Sequence, residues 1–180
     1  SYNYMLRPTY FARTTFVLDT KSSDKIGDLS SIASLAGISS SSLFDENSLF
    51  QIDNIQDLYR SDVMIKKTLL SLGNFGNKSE IIINRMARFN NDVKKWSKQN
   101  ITFKNSELVN RSQDSVIKVL TETIKEDHLI VNKPSRKTTI LEVGFDHRDQ
   151  ELAKVFNENL VEIVNDFYFK TKTLKTGKNL

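Results

Sequence analysis

The strongest constraint on the fold lies near the end of the chain, where apolar residues recur with the period of an α-helix. Spacings of three and four residues relate Leu152, Phe156, Leu160, Ile163, Val164 and Phe167. Asp146 and Asp149 precede this series, and an aspartate accepts hydrogen bonds from the free N–H groups of a first helical turn. The pattern predicts a long amphipathic helix that one of these aspartates caps, that runs to about Thr176 and that packs its apolar stripe on the core.

Three segments alternate in the way of β-strands, whose successive side chains point to opposite faces. The first runs from Pro8 to Asp19 and places one set of side chains on a single face: Tyr10, Ala12, Thr14, Phe16 and Leu18. The other two segments are His128–Lys133 and Thr138–Asp146, with the turn Asn132–Arg136 between them. A short turn between two alternating segments predicts an antiparallel hairpin.

Helical patterns fill the middle of the chain. A short pair of helices is predicted between residues 52 and 72, with Ser61 or Asp62 as the N-cap of the second helix. Gly73 and Gly76 follow, and glycine is typical of the position where a helix ends. We therefore expect the helical pair to stop there.

Two longer helices are predicted next. The first covers Glu80–Lys98, because four- and three-residue steps join the stripe Ile82, Met86, Phe89, Val93 and Trp96. The second covers Ser112–Asp127, with Ser112 as its N-cap. Its buried edge is either Val116, Leu120 and Ile124 or Val119 and Thr123.

These elements predict an α+β fold in which a small mixed or antiparallel sheet, made of the first strand and the late hairpin, is covered by helices and followed by a long C-terminal helix. Residues 1–180 are expected to form a single domain, since a chain of this length buries a sizeable core. Residues 20–48 are rich in Ser and Gly, which predicts a flexible insert within that domain.

The sequence contains little of the chemistry that catalysis or cofactor binding requires. There is no cysteine, and His128 and His147 have no second ligand at the spacing of a metal site, so we expect both to be structural. No glycine cluster with a following Lys-Ser/Thr forms a phosphate cradle, and no Gly-x-Ser-x-Gly elbow is present. We expect a non-enzymatic protein with no catalytic, cofactor-binding or metal-binding residues and no cofactor.

The charge of the chain favours an anionic partner only weakly, because the formal net charge is +4. Lysines near Trp96 and at the end of the chain have the composition of a nucleic-acid-binding surface. The same lysines fall away from the apolar stripes of the predicted helices, which is typical of an ordinary solvated face. We therefore expect no nucleic acid partner, although a basic nucleic-acid-binding domain stays as a distant alternative.

Two blocks of the sequence, one near each end, resemble the Wzz-type chain-length determinants, a family of polysaccharide co-polymerases, and two segments between them add to the resemblance. In the first block, Pro8, Tyr10 and Ala12 are similar to the Pro-x-Tyr-x-Ala core that opens the family's first periplasmic strand. In the middle of the chain, the segment around Ser61 is similar to a family helix that carries a serine and a trailing leucine. The small-residue stretch of residues 29–42 resembles an insert of Bacteroidetes-type members.

The second block begins at Lys137 and resembles the family's late strand followed by a helix start with alanine and a downstream asparagine. Ala153 and Asn157 occupy those two positions. Gln150 stands where the family usually has proline, so the match is looser at that point. The resemblance covers nearly the whole chain in order and spacing.

The resemblance implies a non-catalytic scaffold that regulates the chain length of O-antigen or a related surface polysaccharide. It implies a bacterial inner-membrane protein with two flanking transmembrane helices and this domain in the periplasm, so we interpret the sequence as a fragment. The implied partners are further copies of the protein in a closed oligomer, the polysaccharide polymerase and the glycan chain. The residues of the oligomer interface are not indicated.

The closest alternative to this function belongs to the same superfamily. It is the periplasmic domain of a capsule or exopolysaccharide export co-polymerase that works with a tyrosine kinase. The sequence that follows a second membrane helix would separate the two.

Overall fold

A computed structural model of the chain describes residues 9–17, 52–90, 92–104, 109–134 and 140–176. Pro8 and the predicted insert of residues 20–48 lie outside the described residues. The described elements follow in this order: β1 (Tyr10–Val17), α1 (Ile52–Tyr59), α2 (Asp62–Leu70), β2 (Leu72–Phe75), β3 (Lys78–Ile81), α3 (Ile82–Phe89), α4 (Val93–Lys98), α5 (Arg111–Thr123), a π-helical turn (Ile124–His128), β4 (Leu129–Asn132), β5 (Ile140–His147) and α6 (Gln150–Thr176).

The main sheet has three antiparallel strands in the order β1-β5-β4. Tyr10 of β1 lies opposite His147 of β5, and Leu129 of β4 lies opposite Phe145 of β5. The strand β5 is therefore central, between the first strand and its own hairpin partner. This confirms the predicted α+β fold and, within it, the antiparallel version of the sheet.

The core lies between this sheet and α6. Alternate residues of β5, Leu141, Val143 and Phe145, are fully buried, as expected where one face of a sheet meets a helix. Phe145 stacks on Phe156 of α6 with ring centroids 4.0 Å apart. The predicted apolar stripe of α6 is confirmed, since four of its members are buried: Leu152, Phe156, Leu160 and Val164.

The caps of two helices agree with the sequence prediction. The Oδ1 atom of Asp149 accepts a hydrogen bond from the N–H of Leu152 at 3.2 Å, which identifies Asp149 as the capping aspartate of α6. Ser61 caps α2 by accepting a hydrogen bond from the N–H of Met64 at 3.3 Å. Both side chains satisfy N–H groups that have no partner inside the helix.

A second sheet of two strands follows α2. The sequence predicted only the end of a helix in this region, so that prediction is corrected. The strands β2 and β3 form an antiparallel hairpin across a turn at Gly76 and Asn77. Gly76 has a positive φ of 58°, which glycine adopts at no steric cost. Two central residues that begin with glycine are typical of a tight hairpin, and this signal outweighs the helix-stop interpretation.

The predicted helix Glu80–Lys98 is also corrected, because the chain forms β3, α3 and α4 in this region. The helix α3 ends at Phe89, and the two asparagines that follow are poor helix formers that favour such ends. The N–H of Asp92 then bonds to the carbonyl of Ala87 at 2.8 Å, which reorients the chain before α4. The continuous stripe is thus broken at Phe89, whose ring is 41% exposed.

The helix α5 begins at Arg111, and its N-cap lies two residues earlier than predicted. Asn110, not Ser112, is its N-cap, because Asn110 and Gln113 form a reciprocal capping box. The buried residues of this helix are Ile117 and Thr121. Val119 is 66% exposed, so the alternative edge that contained it is wrong.

Replacement of Phe156 by alanine is expected to lower the free energy of unfolding by about 3–5 kcal/mol, because it removes a fully buried ring and leaves a cavity against Phe145. Lys154→Ala, on the exposed side of the same helix, is the matched control and should cost well under 1 kcal/mol. Urea denaturation of the two variants measures both values. Equal losses would contradict the assignment of the inner face of α6.

Candidate ligand site between two histidines

A pocket of about 920 Å³ lies at the end of the main sheet where β5 finishes. Side chains from four separate elements meet there: Tyr10 from β1, Phe89 from α3, Asp127 and His128 from the π-helical turn, and Asp146 and His147 from β5. A concave site to which several elements contribute polar and aromatic groups is the usual form of a ligand site. This pocket is the candidate functional site.

The structure brings the two histidines together, which the search for ligand spacing missed. Their ring centroids lie 5.6 Å apart. The register of the hairpin explains this proximity. Leu129 pairs with Phe145, which places His128 beside Asp146 and therefore close to His147 at the same end of the sheet. The spacing of residues along the sequence does not indicate this proximity.

The Nδ1 atoms of the two rings have opposite hydrogen-bonding roles. The Nδ1–H of His128 donates to the backbone oxygen of Asp146 at 2.7 Å, since a carbonyl can only accept. The Nδ1 of His147 instead accepts from the N–H of Asp149 at 3.0 Å. When neutral, His128 therefore has an acceptor at Nε2, whereas His147 has a donor there.

Burial keeps His147 uncharged near neutral pH. Its side chain is almost completely buried, and the loss of hydration together with the proximity of His128 lowers its pKa to about 4. The negative charges of Asp149 and Asp146 act in the opposite direction but do not compensate. The imidazole of His147 is thus a neutral hydrogen-bonding group at pH 7.

An ion-pair network includes Asp149, whose N–H group bonds to His147. The Nε of Arg85 in α3 lies 2.6 Å from Oδ2 of Asp149, and its Nη2 lies 3.1 Å from Oε2 of Glu151. Burial by itself raises the pKa of Asp149, but hydrogen bonds from Arg85 and from the N–H of Leu152, with the charge of Arg85, lower it overall. Arg85 therefore joins α3 to the start of α6, and Phe75 supports it with its ring face at 5.0 Å.

The residues that carried the family resemblance fall into two places. Tyr10 and Ala12 on β1, with Ala153 and Asn157 on α6, line one cleft between that strand and that helix. Across it, the Nδ2 of Asn157 donates to the Oγ1 of Thr14 at 2.9 Å. We call this contact the β1–α6 seam.

Ser61, by contrast, is the buried cap of α2 described above and does not line the seam. Tyr10 lines the seam and the histidine pocket alike. The motif residues of the two outer blocks therefore meet in space, and one of them connects the seam to the candidate site.

Three further findings concern the class of protein. Among the described residues, no group of three or more histidine and acidic side chains has the arrangement needed to hold a metal ion. No helix in the described ranges has both the length and the apolar character needed to cross a membrane. Comparisons with protein-family models, with curated proteins and with solved structures found no match for this chain.

The stability of the fold is expected to fall as the pH is lowered from about 6.5 towards 4. In this range an unfolded histidine with a pKa of about 6.5 binds a proton that folded His147, with a pKa of about 4, does not bind. The loss is at most about 3 kcal/mol and is complete below the folded pKa. Asp149, whose pKa is lowered, contributes stability that is lost only at still lower pH.

Chemical denaturation of the wild type and of His147→Gln at several pH values measures this effect. The substituted protein should show a much flatter pH dependence between pH 6.5 and 4, because the buried ionisable ring is gone. His128→Gln is the control and should retain most of the slope. An unchanged slope in His147→Gln would assign the pH dependence to another group.

Replacement of Asn157 by alanine is expected to cost about 1 kcal/mol, because it leaves the half-buried hydroxyl of Thr14 without its partner. Glu158→Ala is the control, since Glu158 is exposed and its nearest cation, Lys154, is 3.9 Å away. Thermal unfolding compares the two variants. A loss no larger for Asn157→Ala than for Glu158→Ala would show that the hydrogen bond does not hold the seam.

Proposed function

We propose that this chain is the periplasmic domain of a Wzz-type polysaccharide co-polymerase, a non-catalytic scaffold that regulates the chain length of O-antigen or a related surface polysaccharide. The observation that carries the proposal is the β1–α6 seam. Residues from the first and last blocks of the resemblance, 143 positions apart at Thr14 and Asn157, are joined there by a hydrogen bond. The two blocks that carry the resemblance therefore lie side by side in the fold.

The geometry of the seam supports a structural role for these positions. Ala12 and Ala153 have small side chains and line the cleft between the strand and the helix. Asn157 is 2% exposed and joins α6 to β1 by its amide. The motif residues thus fix the long helix on the edge strand of the sheet, as a rigid building block of a larger assembly requires.

A scaffold of this kind acts through extended surfaces. In the proposed mechanism, identical subunits associate head-to-tail and close into a ring, because a heterologous interface with a suitable rotation generates a closed cycle. Flanking transmembrane helices, implied by the resemblance, would hold the ring in the bacterial inner membrane. The ring would present the growing glycan and the polymerase to each other for a limited number of additions.

Deletion of the gene in its host is expected to change the length distribution of the surface polysaccharide. Without a regulator, chain growth stops at random, so the amount of polymer should decrease steadily with length. With the regulator, the distribution should have a preferred length. Gel separation of the extracted polysaccharide measures the two profiles, and the wild-type gene on a plasmid should restore the preferred length.

The outcome distinguishes this proposal from its alternatives. A capsule or exopolysaccharide exporter would lose surface polymer on deletion without a shift in preferred length. A nucleic-acid-binding domain would leave the polysaccharide unchanged and would bind DNA or RNA with a steep dependence on salt. A full-length protein that stays monomeric in detergent would remove the ring mechanism.

A further inference from the structure

We propose that the histidine pocket binds a neutral saccharide, through hydrogen bonds to its hydroxyl groups and through contact of its C–H surface with two aromatic rings. The proposal rests on the proposed function for its biological setting, because a chain-length regulator works beside a growing glycan. Its physical evidence comes from the pocket alone.

The histidine pair matches the hydrogen-bonding capacity of a hydroxyl group. A hydroxyl is both a donor and an acceptor. His128 in its neutral form has an acceptor at Nε2, and neutral His147 has a donor at Nε2, because their Nδ1 atoms are engaged with Asp146 and Asp149 in opposite senses. Two rings with their centroids 5.6 Å apart therefore offer complementary groups to neighbouring sugar hydroxyls.

The carboxylate of Asp146 adds a hydrogen-bond acceptor to the pocket. It lines the pocket, and its Oδ1 atom is buried without a hydrogen-bond partner among the described residues. A carboxylate can accept several hydrogen bonds, and a buried oxygen without a donor is costly. As a carboxylate at the pocket lining, Asp146 suits a ligand that brings hydroxyl donors.

The remaining groups of the pocket suit the rest of a sugar ring. Phe89 is 41% exposed and Tyr10 is 40% exposed, so both rings offer apolar surface at the pocket. The ring of Phe89 is held edge-on to His147 at a centroid distance of 5.0 Å. Asn90 and Arg148 line the same pocket and supply further donors.

The charge of the pocket favours a neutral ligand over an anionic one. Three carboxylates, Asp92, Asp127 and Asp146, line the pocket, and they outnumber Arg148 and His128 together, while His147 is uncharged. The pocket is therefore locally acidic in a chain whose net charge is +4. Phosphates and uronic acids would be repelled here, and the described residues do not provide the three ligands that a metal ion would need.

The experiment uses the isotope-labelled protein and records its amide NMR spectrum during titration with sugars. The probes are glucose, galactose, mannose, N-acetylglucosamine and their neutral disaccharides, at concentrations up to many millimolar. Glucuronate and galacturonate are the anionic counterparts. We expect at least one neutral sugar to cause saturable shifts confined to the pocket, and the corresponding uronate to bind more weakly.

Two substitutions test the assigned groups. Asp146→Asn should weaken binding of the responding sugar on the order of tenfold, because a charged acceptor is lost. Phe89→Ala should weaken it through loss of the apolar contact surface. Asp114→Asn, on α5, and Leu72→Ala, at the start of β2, are matched controls outside the pocket and should leave the affinity unchanged.

The results separate this inference from the proposed function. If no neutral sugar shifts the pocket signals, or if the two pocket variants bind as well as the controls, the inference is wrong, and the gene deletion still decides the proposed function. If uronates bind better than neutral sugars, the pocket does not favour neutral ligands, and the inference is wrong. If sugar binds as described but the deletion leaves polysaccharide length unchanged, the pocket stands and the proposed function fails.

Discussion

The fold depends on the junction at Asp149, where the central strand of the sheet becomes the long helix. Its carboxylate caps α6 through the N–H of Leu152 and forms an ion pair with Arg85, while its own N–H bonds to His147. Helix capping, the docking of α3 and the tautomer of a pocket histidine therefore all depend on one residue. Because the Asp149 carboxylate is largely buried, removal of Arg85 would leave a charge without its partner, which is more costly than the loss of an exposed pair.

The central strand β5 explains why the core and the pocket are continuous. Its alternate side chains Val143, Phe145 and His147 all lie on the core face. The rings of Phe145 and His147 are almost parallel, with an interplanar angle of 7°, and Phe145 stacks in turn on Phe156. The imidazole of His147 thus lies at the end of the stacked rings of Phe145 and Phe156. The burial that stabilises these two aromatic rings also keeps His147 neutral.

The sequence was informative where a pattern is long and local. The stripe of α6, the cap at Ser61 and the antiparallel hairpin of β4 and β5 could all be predicted, because each depends on periodicity or on neighbours in the chain. The β2–β3 hairpin was missed since four-residue strands contain too few residues to show alternation, although Gly76 and Asn77 marked the turn. The break after Phe89 lies at Asn90, a poor helix former, where the apolar stripe predicts a continuous helix.

The candidate site was less accessible to sequence reasoning, because its groups come from four separate elements. The histidines lie 19 positions apart, a distance that no local motif relates, and only the register of the hairpin brings them together. The seam differs in this respect, since motif positions near both ends of the sequence line it.

Tyr10 connects the two sites, because it lines the histidine pocket and the β1–α6 seam. Its strand is held by β5 along one edge and by the bond from Asn157 to Thr14 on its inner face. A ligand that contacts Tyr10 therefore meets a side chain whose backbone is fixed by the same residues that dock the long helix. The histidine pocket and the attachment of α6 thus share one strand.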